Sequence, residues 1–116
     1  MATIPLQFGR DQQGYNAYAP YPSTVKYSAT ITNGNATSVT VPSTFPLWIV
    51  SFRYYPNDVW VSVTTTAAIP VGATLAASSS ELNPSSLTLA SGTTISVITA
   101  QTTADVSIVM WPAVLP

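Results

Sequence analysis

The sequence predicts an all-β protein: a two-sheet antiparallel β-sandwich with jelly-roll-like topology, preceded by an extended N-terminal arm. Short stretches alternate apolar with polar residues and are rich in Val, Ile, Thr and aromatic side chains, the pattern of half-buried strands. Turn signals separate these stretches at intervals of about 8 to 12 residues, which is typical of sandwiches and small barrels. We count about eight strands and no helix. The arm is assigned to residues 1–23 and the sandwich to residues 24–116.

The N-terminal arm contains Pro, Gly and Tyr without a sustained period of either kind. Because Pro removes a backbone donor and biases its predecessor toward extended conformations, we predict an extended segment with turns. Tyr combines an apolar ring with a hydrogen-bonding tip and is favoured at interfaces. The arm is therefore expected to dock on a neighbouring subunit or on a host surface, and the alternative is packing against its own domain. The candidate contact residues are Phe8, Arg10, Tyr15, Tyr18 and Tyr21.

The next strand is predicted to begin at Lys26 and to end at Asn33-Gly34, the strongest short hairpin signal, because both residues tolerate positive φ. A returning strand then carries Val39 and Val41.

The central stretch, residues 45–63, predicts a second hairpin. Its two strands are rich in β-branched and aromatic residues, and Tyr-Pro-Asn-Asp at positions 55–58 supplies the reversal between them. The two-residue period places Trp48, Val50 and Phe52 on one face, which can contribute to a core. The aromatic residues around this hairpin form a candidate contact surface that comprises Trp48, Tyr54, Tyr55 and Trp60.

Beyond the central stretch, the second strand is expected to continue through Thr64–Thr66. A short strand is expected at Thr74–Ala77, and a loop at Ser78–Pro84, since Asn-Pro favours a turn. The later strands are predicted from alternating residues: Leu87 and Leu89, then Ile95 and Val97, then Val106, Ile108 and Met110.

The charge content is very low. Charged residues make up 6% of the chain, against about 25% in ordinary soluble domains. Such a surface has little repulsion to keep copies apart, so we interpret it as one that sister subunits or a larger assembly cover. A neutral, Thr-rich, soluble β-domain is the alternative. Arg10, Lys26 and Arg53 are scattered singly, which argues against a nucleic-acid partner.

The sequence contains few residues of the types that support catalysis or metal binding. The chain has no His and no Cys, which removes the usual general base, the thiol nucleophile and the preferred zinc ligands. Its four carboxylates lie in predicted loops or strand ends without the spacing of an acid/base pair or a calcium loop. We therefore predict a non-enzymatic protein without cofactor or metal. No apolar stretch approaches the about 20 residues of a membrane helix, which argues against a membrane partner. The carboxylates are Asp11, Asp58, Glu81 and Asp105.

Three segments carry a resemblance to a known group: PLQFGRDQQGYNAYAP at residues 5–20, IPVG at residues 69–72 and SELNP at residues 80–84. Together with the Thr-rich strands they resemble small virion structural proteins of tailed bacteriophages. The resemblance implies a non-enzymatic β-domain present in many copies in the virion, which is assembled in the host cytoplasm. It further implies a capsid decoration (cement) protein on the outside of the head, forming homotrimers and contacting the major capsid protein or other virion proteins. The alternative is a tail or fibre component, either an adaptor or a tip whose exposed aromatic residues bind host glycan.

Overall fold

The computed structural model describes the backbone of residues 8–10 and 16–20 and all atoms of residues 22–113. These residues form an all-β structure without a helix, as predicted. The strands are β1 Phe8–Arg10, β2 Asn16–Pro20, β3 Val25–Thr32, β4 Thr37–Thr40, β5 Leu47–Tyr55, β6 Val59–Ser62, β7 Ser80–Leu82, β8 Ser86–Ala90, β9 Thr94–Thr99 and β10 Thr103–Pro112.

Eight of these strands form two four-stranded antiparallel sheets. The first sheet has the order β3-β10-β5-β8 and the second has the order β4-β9-β6-β7. Side chains from both sheets contribute to one hydrophobic core, so the predicted β-sandwich is confirmed. The strand order is compatible with the predicted jelly-roll topology.

The core follows from the two-residue period of the strands. In β5, Trp48, Val50 and Phe52 point inward and are buried, as predicted, while the alternate residues face outward. The indole Nε1 of Trp48 donates to the Phe45 carbonyl at 3.1 Å, and the two rings meet edge to face. The buried core cluster comprises Ile31, Val41, Trp48, Val50, Phe52, Val59, Val61, Leu89, Ile95, Val97, Ala104, Val106, Ile108 and Met110.

The chain reverses at both predicted turns, but the prediction that the flanking strands pair as hairpins is wrong. The turn after Tyr55 and the turn at Asn33-Gly34 each carry the chain from one sheet to the other, so the flanking strands do not pair. Gly34 has the expected positive φ of 71°, and its amide donates to the Thr99 carbonyl at 3.0 Å. The turn residues determine where the chain reverses. Burial determines the strand partner, since the flanking strands face each other across the core.

Three smaller predictions also fail. β6 ends at Ser62, because the Ser62 hydroxyl accepts hydrogen bonds from the amides of Thr64 and Thr65 and turns the chain out of the sheet. Residues 74–77 form no strand. A short strand, β7, lies inside the predicted loop 78–84, where it pairs with β6.

Most of the predicted arm lies outside the described residues. The backbone of β1 pairs with that of β2 in a separate antiparallel ribbon, with Phe8 opposite Pro20. Tyr15 and Tyr21 lie outside the description, and so do the side chains of Phe8, Arg10 and Tyr18. The contact role of these residues stays a prediction.

Candidate interaction surface

The fold separates the four aromatic residues that the sequence groups together. Trp48 is fully buried at 0% exposure, so it belongs to the core and not to a contact surface. Tyr54 is half-buried on the inward side of β5. Tyr55 is 78% exposed on the outer face of the first sheet. Trp60 is half-buried and alternates with the core residues of β6, so it faces outward from the second sheet.

Tyr54 has a structural role. Its ring stacks on Phe52 with centroids 6.1 Å apart, and its hydroxyl donates to the Pro84 carbonyl at 2.7 Å. Burial, together with the nearby negative charge of Glu81, raises the pKa of the Tyr54 hydroxyl well above its ordinary value. The side chain therefore fixes the segment after β7 to the inner edge of the first sheet.

Asn83 performs a similar function from the other sheet, and the sequence analysis missed it. The Val59 amide donates to its Oδ1 at 2.8 Å, and its Nδ2 donates to the Asn57 carbonyl at 3.1 Å. Asn83 has a φ of 49°, a left-handed conformation that Asn adopts more readily than most residues. The Asn-Pro dipeptide was a sufficient signal for a turn but not for these long-range contacts.

The loop between β6 and β7, residues 63–79, is the most distinctive exposed feature. Hydroxyl groups hold its base against the outer face of the second sheet. The buried Ser96 hydroxyl accepts from the Ala67 amide at 2.9 Å, and the Ser80 hydroxyl accepts from the Ala68 amide at 3.1 Å. The hydroxyls of Thr65 and Ser79 lie 3.0 Å apart and join the two ends. The loop is thus anchored at its base without any charged residue.

The outer part of this loop is apolar and uncovered. Val71 is 93% exposed and Leu75 is 103% exposed. A hollow of about 540 Å³ separates the loop from Trp60, and the cross-strand neighbour of Trp60, Leu82, is 46% exposed. We refer to Trp60, Val71, Leu75 and Leu82 together as the apolar loop face. The charge-free sequence IPVGATLAA at residues 69–77 was the available signal for it.

A second hollow, of about 490 Å³, lies on the outer face of the first sheet and has a mixed lining. It contains Arg53, the exposed ring of Tyr55, and Asp105. The Asp105 carboxylate accepts a hydrogen bond from the Thr30 hydroxyl at 2.6 Å. This hollow combines an aromatic ring with one positively charged and one negatively charged side chain, both able to form hydrogen bonds.

A third opening, which we call the edge groove, lies where β3 and β4 form neighbouring edges of the two sheets. It has a volume of about 210 Å³, and its deepest residues belong to the core. Tyr27 and Ala29 lie on the same face of β3 as the buried Ile31, yet both are exposed. The apolar residues of the floor are Ile95, Val97, Val106 and Ile108.

The described residues hold no group of three or more His, Cys, Asp or Glu side chains able to bind a metal ion. Asp58 accepts from the Gln101 side-chain amide at 2.8 Å, and Asp105 is bound to Thr30. Asp11 lies outside the description. No helix long and apolar enough to cross a membrane occurs between residues 22 and 113 or in the two N-terminal strands.

Comparison of the chain with protein-family models, with curated proteins and with solved structures finds no match in any of the three.

Proposed function

We propose that this protein is a non-enzymatic structural component of a bacteriophage virion, namely a capsid decoration protein that binds the outside of the head and self-associates as a trimer. The observation that carries the proposal is the apolar loop face, on which Val71 and Leu75 extend almost fully into solvent. The phage identity, the head location and the trimer rest on the sequence resemblance.

The energetics favour contact as the role of this surface. Burying one Leu or Val side chain stabilises a complex by about 1.5–3 kcal/mol. The hydroxyl bonds at the base of the loop exist before association, so less conformational freedom is lost when a partner binds. The low charge content adds little repulsion between copies.

The test is to count and locate the protein on purified particles of the virus that encodes it. Quantitative mass spectrometry should find it in a fixed ratio to the major capsid protein, and electron microscopy should place density for the sandwich on the outside of the head. A Val71→Ser/Leu75→Ser variant should bind particles more weakly, while Thr66→Ser, in the same loop, serves as the matched control. Particles that lack the protein, or that carry it only on the tail, contradict the proposal.

A tail or fibre tip that binds host glycan is the second candidate, and the exposed ring of Tyr55 favours it. In a decoration protein we expect a neighbouring subunit to cover this ring, whereas a glycan-binding tip needs it bare. A glycan array distinguishes the two functions. Binding that is lost in Tyr55→Ala and retained in Tyr54→Phe supports the tip, and an array without signal supports decoration.

A further inference from the structure

The edge groove is a cleft of about 210 Å³ between the neighbouring edges of the two sheets, and residues of the hydrophobic core form its floor. In the middle of β3 the inward-facing positions are Tyr27 and Ala29, and both are exposed at the mouth of the groove, whereas the aliphatic floor residues beneath them are at most 5% exposed. The apolar surface in contact with water lies at the mouth of the groove, on Tyr27 and Ala29, and burial of this surface would be favourable.

The backbone beside this groove is also available. β3 is eight residues long and pairs with β10 on one side only, and none of the other described strands pairs with its second side. A long edge strand without Pro presents unpaired N–H and C=O groups and is a template for an added strand. Lys26 is its only charged residue. The edge groove and the neighbouring edge of β3 can together accept an added strand that carries apolar residues on one face.

The beginning of the chain has the properties of such a strand. Residues 2–7 read ATIPLQ, with Ile4 and Leu6 on one face by the two-residue period and no charged side chain. If Ile4 and Leu6 face the groove and bond to β3, the backbone nitrogen of Pro5 points away from β3. An added edge strand tolerates Pro in this orientation. Six extended residues span about 20 Å, which is shorter than the eight residues of β3.

We propose that residues 2–7 of a second copy of the chain occupy the edge groove, with Ile4 and Leu6 inserted between the sheets and the backbone paired with β3. This inference rests on the proposed self-association and identifies the segment that performs it. The donor is a second copy because Phe8 of the same chain pairs with Pro20 in a ribbon that includes neither β3 nor β4. Pro5 has no backbone N–H to donate at the outer edge of the added strand, so it prevents a further strand from pairing there. The exchange therefore stops at one added strand.

Cysteine trapping tests the source of the strand, and the absence of Cys from the chain removes any background. A Leu6→Cys variant is mixed with an Ala29→Cys variant and oxidised. We expect a covalent dimer that joins the two different chains, and much less of it when Gln7→Cys replaces Leu6→Cys. No cross-linked dimer overturns the proposal, and so does a Leu6→Cys/Ala29→Cys chain that closes only on itself.

A second measurement tests the energetics. Ile4→Asp/Leu6→Asp should weaken self-association by roughly tenfold or more, because two apolar side chains no longer enter the groove. Thr3→Asp/Gln7→Asp adds the same charge on the opposite face and should leave association within about threefold. Equal effects of the two pairs overturn the proposal. Binding to particles is measured separately. If the protein binds particles but the cysteine variants form no cross-linked dimer, only the proposed strand donation is overturned. If the cross-linked dimer forms but the protein is absent from particles, only the proposed function is overturned.

Discussion

Replacing Ser96 by Ala tests whether the buried hydroxyl anchors the apolar loop. Its Oγ is the acceptor for the Ala67 amide at 2.9 Å, and both residues are buried. The substitution leaves this N–H without a partner in a place where water does not reach it. An unsatisfied buried donor costs about 1–3 kcal/mol, so we expect the free energy of unfolding to fall by this amount. For a domain of this size the loss corresponds to a Tm lower by roughly 4–12 °C.

The assay is urea unfolding followed by tryptophan fluorescence, combined with hydrogen exchange at the Ala67 amide. Ser80→Ala is the matched control, because the Ser80 hydroxyl accepts from the Ala68 amide at a solvent-exposed position. We expect the control to change stability by no more than about 0.5 kcal/mol. If Ser96→Ala is as mild as the control and the Ala67 amide exchanges no faster, the hydroxyl does not anchor the loop and the reasoning is refuted.

Three further predictions follow from the same structure. Val71→Ser/Leu75→Ser should change the free energy of unfolding of the monomer by no more than about 0.5 kcal/mol, because both side chains are exposed, yet should weaken binding to particles measured by co-sedimentation; a large loss of monomer stability would show that they pack within the fold. Tyr54→Phe should cost about 0.5–1.5 kcal/mol at neutral pH through the lost bond to Pro84. Because the folded pKa of Tyr54 lies above its unfolded value of about 10, its contribution to stability is complete below pH 10 and declines above it. Alkaline unfolding curves should show this decline in the native chain and less of it in Tyr54→Phe, and identical slopes contradict the raised pKa. Asn83→Ala should cost about 1–3 kcal/mol, since it leaves the Val59 amide without its side-chain acceptor; thermal unfolding measures the loss, and a change below about 0.5 kcal/mol contradicts the assignment.

Most strands of the sandwich were predictable because alternate residues of a strand lie on opposite faces of its sheet. Trp48, Val50 and Phe52 on β5, and Val106, Ile108 and Met110 on β10, are buried as their alternation indicates. Sheet membership was not predictable from the turns. The Asn33-Gly34 signal depends on local backbone preference, and it is the same whether the chain returns beside its own strand or crosses to the opposite sheet.

The candidate surface was less predictable than the strands. Trp48 and Trp60 have the same residue type in similar local sequence, but only the strand faces decide that the first is core and the second faces outward. The apolar loop face could not be predicted from the sequence, because an apolar, charge-free segment can equally be buried. Its exposure depends on long-range hydroxyl contacts such as Ser96 to Ala67, and no local pattern encodes contacts between residues so far apart in the chain.

The strand order also determines how the chain acquires its structure during synthesis. One of the two central positions in each sheet is filled by one of the last described strands: β10 lies between β3 and β5, and β9 lies between β4 and β6. Neither sheet can close until residues 94–112 have left the ribosome. Earlier strands must wait with open edges and uncovered apolar faces, the state in which β-proteins are most prone to aggregate.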